Sequence, residues 1–245
     1  HTDERQMLAD MVGRFVTDNY DIESRHHHAA SDVGYSQEVW GQLAELGVIG
    51  ALFDEAAGGF GGTGFDIAVV FEQLGRGLVV EPFLAGLMAG TILAQDKNQQ
   101  ELLDALLSGQ SVVALAHGEP GSRYSLSHVE TSATASADGF VLNGNKAVVI
   151  SGDSADHVLV SARLSGAVDD AEGLSLFIVP RDADGVHVRG YPTVDGYRAA
   201  EIALHDVHIG SDSLVGEQGN GLALLDKANA AGTLAVSAEA LGAIE

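Results

Sequence analysis

The chain has 245 residues, 46% of them apolar, and a formal net charge of −23. That apolar content suffices for the core of one large domain or two modest ones, while the acidity disfavours nucleic acid and anionic membrane surfaces as partners. With no cysteine, disulfides, thiolate zinc sites and thiol nucleophiles are excluded from these residues.

In chain order, Leu8, Met11, Val12 and Phe15 recur at helical spacing over residues 3–17, after Thr2 or Asp3 as a cap. A second helix runs from Ser36, its cap, through Val39, Trp40, Leu43 and Leu46 to Gly47, where a C′ glycine belongs. Trp40 sits on that apolar stripe and reads as core. The glycine cluster at 58–64 must be loop. It lacks the Lys-Ser/Thr ending and the preceding strand of a phosphate loop. Residues 65–75, 83–95 and 99–107 read as three further helices. His26, His27 and His28 are consecutive, so on a helix their ligand atoms diverge, and no metal site is expected.

At about residue 111 the period changes. Ser111–His117, Val129–Ser136, His157–Arg163, Leu174–Val179, Val186–Tyr191 and Ala199–His208 read as short strands. Phe140–Ser151 reads as a hairpin turning at Asn143-Gly144. No helix interrupts these strands, which argues for an antiparallel sandwich or barrel. After Gly221 the chain becomes helical and Ala-rich up to Glu245. A lone helix cannot bury its stripe, so further helices or partner chains are expected to cover it. No stretch approaches eighteen consecutive apolar residues, and no basic segment leads an apolar one at the start. A membrane span and a secretory signal are therefore not expected, and a cytoplasmic address is.

This order of elements resembles the acyl-CoA dehydrogenase superfamily. Residues 54–64 (DEAAGGFGGTG) resemble its "PEEYGGLG" loop, and 72–75 (EQLG) the "EELGR" helix after it. Residues 142–146 (LNGNK) resemble "LNGxK", followed by Ala155-Asp156 and Leu159-Val160. The run from Thr193 through Arg198 and Asp206-Val207 to Glu217 resembles the segment that closes the family's β domain. Residues 75–86 (GRGLVVEPFLAG) are similar to the small subunit of pimeloyl-CoA dehydrogenase and to the two-gene enzymes of actinobacterial sterol breakdown. The resemblance implies an α+β, multi-domain fold: an N-terminal α-helical bundle (1–110), a middle antiparallel β-barrel or sandwich (111–212), and the start of a C-terminal α-helical bundle (213–245).

In this family a carboxylate takes a proton from Cα of an acyl-CoA thioester while a hydride leaves Cβ for FAD. Donors must stabilise the enolate in a site kept from water. The family's "YxxTEPxAGSD" stretch falls on residues 115–123 (LAHGEPGSR), with Leu115 on the aromatic position and Gly118 on the flavin-bonding Thr. The resemblance implies a flavin edge of backbone N–H groups with His117, and Ser122 near the pyrophosphate. An ordinary strand end and turn is the alternative. Arg123 reads as a phosphate contact or as a surface residue. The family's "KxWITN" falls on 146–151 (KAVVIS), so Val148 replaces the covering Trp and Ile150 the hydroxyl residue near N5. Ser151 could serve only after a one-residue slip, which would turn it to the other face of the strand. A buried apolar strand is the alternative reading.

No catalytic base is identified. The position used by a minority of the family falls on Gly232, with Thr233 beside it. Asp226, Glu239 and Glu245 read as solvated or interface carboxylates. The expectation is a subunit of a FAD-dependent acyl-CoA dehydrogenase, working with a homologous subunit in a homo- or hetero-tetramer that supplies the base. Electron-transfer flavoprotein is the expected acceptor, and the acyl chain a dicarboxylate or sterol side chain. A self-sufficient homomer, a flavin-free structural subunit, and an oxygen-using acyl-CoA oxidase or flavin monooxygenase are the alternatives.

Overall fold

The computed structural model describes residues 2–245. Four of its α-helices start where a side chain accepts from an orphan backbone N–H. Thr2 opens α1 (Asp3–Asn19), Asp21 opens α2 (Ile22–Ala29) and Ser36 opens α3 (Gln37–Glu45). Thr63 and Asp66 form a reciprocal capping box at the head of α4 (Gly64–Gly77). Helices α5 (Phe83–Leu93) and α6 (Gln100–Leu107) complete the layer. Trp40 and Phe71 both meet Phe83 edge-on in its core, with centroids 5.1 and 6.5 Å away. Helix α2 escaped the sequence reading because it buries no residue and so carries no apolar stripe. The glycine cluster at 58–64 folds back on residues 50–54. A Cβ at Gly59 or Gly61 would collide with the carbonyls of Phe53 or Ala51.

Eight strands follow: β1 (Val113–Ala116), β2 (Ser132–Ala135), β3 (Gly139–Ile150), β4 (His157–Arg163), β5 (Leu174–Pro180), β6 (Val186–Pro192), β7 (Arg198–Gly210) and β8 (Leu214–Val215). They pair in the order β6-β7-β3-β2-β4-β5-β8, with β1 beside β4. The β unit is thus where expected, but its sheet is mixed and open. Strands β1 and β4 are parallel because both begin at one end, where the Val112 carbonyl accepts from the N–H groups of Asp156 and His157. The expected turn at Asn143-Gly144 does not form, and β3 runs through it. Asn143 instead clasps Asp206 of β7 through two hydrogen bonds, and Gly144 lets Thr131 lie against the backbone. The β2–β3 turn comes earlier, at 136–138, where the Ser136 N–H donates to the Gly139 carbonyl.

Helix α7 (Gly221–Ile244) returns to the helical layer and packs on α4 and α5. Glycines set the approach: a Cβ at Gly75 would strike the Glu239 carbonyl, and one at Gly242 the Glu72 carbonyl. Among the described residues, no helix is long and apolar enough to cross a membrane.

Tyr197, in the β6–β7 turn, joins three units. Its hydroxyl oxygen lies 2.8 Å from the Val79 carbonyl and 2.7 Å from Glu239 Oε1 on α7. A phenol has one hydrogen, so it cannot donate to two acceptors. Both contacts are satisfied when Glu239 is protonated and donates to Tyr197, which donates to Val79. Burial, opposed by the Tyr197 bond and aided by Asp195, raises the Glu239 pKa, consistent with that state. Glu239, read from the sequence as a solvated or interface carboxylate, is thus partly buried and bonded to Tyr197. A carboxyl with a raised folded-state pKa contributes stability that is complete below its unfolded pKa and lost as pH rises through the folded one. Glu239→Gln keeps a donor at every pH. Urea unfolding should therefore show the variant gaining on the parent as pH rises, by about 1 kcal/mol for one hydrogen bond. A difference independent of pH would mean that Glu239 holds no proton in this arrangement.

Candidate flavin edge and its buried lysine

The end of β1 and the later half of β3 meet. The Ala147 N–H donates to the Gly118 carbonyl over 2.7 Å. Immediately after, β3 bulges: its register against β7 shifts between Lys146 and Val149, and Val148 adopts φ +52°. The bulge reverses which side chains point inward. Before it Phe140, Leu142 and Lys146 are buried, and after it Val149 and Ser151 are. Val148 is left 58% exposed and Ile150 half-buried on the outer face. This is the ungapped register of the sequence reading, and Ser151 is turned away from that face. Leu115, His117 and Gly118 are half-buried beside the bulge. Gly118 leaves room for a close approach, since a Cβ there would meet only the Ala147 carbonyl oxygen, at 3.1 Å.

Behind the edge lies a polar network that the sequence reading did not assemble. Lys146 Nζ donates to Glu119 Oε1 at 2.6 Å, Ser161 Oγ at 3.0 Å and the His117 carbonyl at 3.3 Å. Glu119 also accepts from the N–H groups of Glu130 and Thr131. Burial pushes the Lys146 ammonium down to about 8, with Glu119 opposing, so it stays mostly charged at neutral pH. Burial alone would raise Glu119, but Lys146 and the hydrogen bonds win and hold it below its usual value. Burial and then the Lys146 charge lower His117 to about 4, so its imidazole is neutral. His117 Nδ1 lies 2.9 Å from Ser161 Oγ, which already accepts from Lys146. The Ser161 hydrogen is then free to point at Nδ1, which assigns the His117 proton to Nε2.

The other residues singled out in the sequence are placed less openly. Ser122 Oγ accepts from the Glu119 N–H and donates to the Glu119 carbonyl, both at 3.0 Å, inside its own turn. Arg123 is exposed with φ +50°. Arg163, beneath this loop, gives all its hydrogen bonds to carbonyls: Val129, Glu172, Ser127, Val168 and Asp170. It ties the 121–129 segment to the β4–β5 loop, and nothing in its sequence context announces that. At the base position of the family's minority, Gly232 is buried, and a Cβ would come within 2.9 Å of Met88 Sδ. Glu245 pairs with Arg76. His28 points toward Glu81 at 3.9 Å, and no group of three or more metal-ligating side chains occurs among the described residues.

A helical layer thus precedes a β unit whose β1 end and β3 bulge form one open edge. Residues 2–110 match the model for the acyl-CoA dehydrogenase N-terminal domain, and residues 114–208 that for the middle domain. This chain belongs to the acyl-CoA dehydrogenase family. It is 27% identical over 241 residues to acyl-CoA dehydrogenase FadE12 of Mycobacterium tuberculosis, covering 91% of this chain and 59% of FadE12. A Mycobacterium smegmatis structure assigned to the acyl-CoA dehydrogenases is 30% identical with TM-score 0.87, over 99% of this chain and 65% of that one. The ChsE4–ChsE5 complex of M. tuberculosis shares the fold at 24% identity and TM-score 0.82, over 99% and 64%. The chain thus spans roughly three-fifths of the length of these relatives.

Three substitutions check this geometry. Glu119→Gln strands a buried ammonium and should cost about 3–5 kcal/mol in urea unfolding, whereas adding Lys146→Met should recover much of it. A double variant no more stable than the single one would rule out the pair as the cause. Val148→Gly removes a β-branched side chain from a left-handed backbone. It should raise stability by about 1 kcal/mol after allowing for glycine's unfolded-state entropy, and a lower melting temperature would contradict that strain.

Proposed function

We propose that this chain is one subunit of a FAD-dependent acyl-CoA dehydrogenase, acting on the Cα–Cβ bond of an acyl-CoA thioester. The observation that carries it is the meeting of the β1 end and the β3 bulge on one open face. Leu115, Gly118, Val148 and Ile150 would line the isoalloxazine, with the 117–118 backbone at its polar edge. The Nε2–H of His117 is a fixed donor on the same segment. The residues fit the ring better than the pyrophosphate, because Ser122 is engaged in its own turn and Ser151 faces inward. When bound, the flavin supplies hydride acceptance. The chain's own part is to hold the ring flat against Val148, to fix the backbone donors through Lys146, and to keep water from the inner side of the sheet.

Helix α7 offers no base where one could lie. Gly232 is walled by Met88, and Glu239 is committed to Tyr197. The base therefore comes from outside these residues, and we place it on a homologous subunit of a hetero-tetramer. Val236, Leu241 and Ile244 on the outer side of α7 are exposed, as befits a helix that a further protein surface covers. The ChsE4–ChsE5 complex, built of two chain types, is a precedent for such an arrangement. In this reading residues 1–110, 111–212 and 213–245 are the helical domain, the β domain and the opening of a second helical domain. Electron-transfer flavoprotein is the acceptor and the cytoplasm the compartment. A homomer whose base lies outside residues 1–245 is the second reading, since the exposed outer side of α7 suits a further copy of this chain as well.

The visible spectrum separates these readings. Purified alone, the chain should be colourless or weakly yellow. Co-expressed with a homologous subunit, it should give a yellow complex whose flavin band is bleached by acyl-CoA. Bleaching by acyl-CoA of the chain on its own would favour the homomer, and a colourless complex would leave a structural subunit.

A further inference from the structure

Cross-strand partners in a sheet share a face. Ile150 of β3 is opposite Ala199 of β7, and Ala199 opposite Tyr191 of β6. Two residues further along, Glu201 is opposite Arg189, and beyond that Asn145, Ala203 and His187 are in line. The outer face that begins at the flavin edge with Ile150 therefore continues as a shelf carrying Tyr191, Arg189 and His187. Strand spacing and rise put Arg189 about 12 Å from Ile150 across that shelf. A cleft of about 340 Å³ opens there, lined by Arg189, His187, Glu201 and Asn145, with Pro120 of the flavin loop on its rim.

In a molecule whose formal charge is −23, the shelf sets one guanidinium, Arg189, beside one carboxylate, Glu201. Arg189 makes no ion pair among the described residues, although Glu201 is its cross-strand neighbour. The reason is local: Glu201 Oε1 accepts from the Tyr191 hydroxyl at 3.0 Å, and the Arg189 guanidinium lies over the Tyr191 ring, 6.0 Å from its centroid. The planar fork of N–H donors is thus exposed and without an anion. His187 lies beside it, its ring 5.4 Å from that of His205. A guanidinium in this state matches a phosphate, which can accept two parallel hydrogen bonds.

We propose that this shelf is a phosphate-binding site for the tail of a nucleotide ligand, with Arg189 as the principal contact and His187 beside it. The ligand class is an adenosine nucleotide carrying a phosphate ester or anhydride. The favoured source is the pyrophosphate of the flavin nucleotide whose ring lies at Ile150 and Val148, so the placement rests on the flavin reading above. It supplies the contact that Ser122, held in its own turn, does not.

Calorimetric titrations of the purified chain with riboflavin, FAD, ADP and coenzyme A, repeated on Arg189→Gln and Arg189→Lys, test it. Arg189 is exposed, and circular dichroism confirms that the variants fold. Expected are FAD binding at least tenfold tighter than riboflavin, loss of about that advantage in Arg189→Gln with riboflavin unchanged, partial retention in Arg189→Lys, and competition by ADP. Loss of coenzyme A binding alone in Arg189→Gln would support the phosphate site and assign it to the substrate's nucleotide. If neither riboflavin nor FAD binds the parent chain or its complex with a homologous subunit, the flavin reading fails. The phosphate site still stands in that case if ADP binds the parent and not Arg189→Gln. Affinities for FAD, ADP and coenzyme A that are all unchanged by Arg189→Gln, or an absence of ADP binding together with equal riboflavin and FAD affinities, would overturn it.

Discussion

An ammonium with no exposed side-chain surface must find acceptors for all its hydrogens or give up its charge. Lys146 finds three, on two segments: the His117 carbonyl and Glu119, both just after β1, and Ser161 on β4. Each partner is fixed by something else. Glu119 is held by two backbone N–H groups, and His117 by Ser161. The parallel β1–β4 pair and the β3 strand are therefore locked at the point where the β1 end meets the β3 bulge. A buried pair is weak evidence of net stability, because desolvation offsets most of its attraction. Its value here is geometric: the backbone of 117–118 cannot move relative to 147–148 without stranding a charge.

The bulge depends on that lock. With Lys146 inward and Val149 also inward, one residue too many separates them for a regular strand, and Val148 absorbs the excess in a left-handed conformation. That is costly for a β-branched residue. The same slip puts Ile150, not Ser151, on the outer face, and aligns it with the β7 and β6 shelf. One irregularity thus decides which side chains face a ligand, and it does so from behind, through a residue that touches no ligand.

The sequence made the order of elements legible, because helical and strand periods differ strongly and the motif residues fall at fixed spacing. The ungapped match put Val148 and Ile150 on the positions of interest, and the structure leaves Val148 exposed and Ile150 half-buried on one face. It failed at Asn143-Gly144, where a turn signal was overridden by Asp206 from a strand some sixty residues away. It could not separate Ser122 from a ligand contact, because a serine closing its own turn looks identical in one dimension. The Lys146 network, the Arg163 clamp and the Arg189 shelf were invisible for a shared reason. Each is made by residues from different strands, and only the pairing register brings them onto one face.

Helix α7 carries the last consequence. Its inner side is built of small residues so that α4 can approach closely: Gly242 lies under Glu72, and the Glu239 backbone under Gly75. A side chain at position 232 would have to displace the Met88 side chain of α5. The one acid on the buried side, Glu239, shares its proton with Tyr197 and so links α7 to the β6–β7 turn. Proton abstraction needs a carboxylate that is ionised and unoccupied when the substrate arrives. Glu239 is occupied by the Tyr197 hydroxyl, and its burial disfavours the ionised form. What α7 supplies is a rigid connection between the helical layer and the turn that leads into β7. In the proposed reaction the proton acceptor would approach from the open side of the sheet, the side on which Val148 is exposed and Ile150 half-buried.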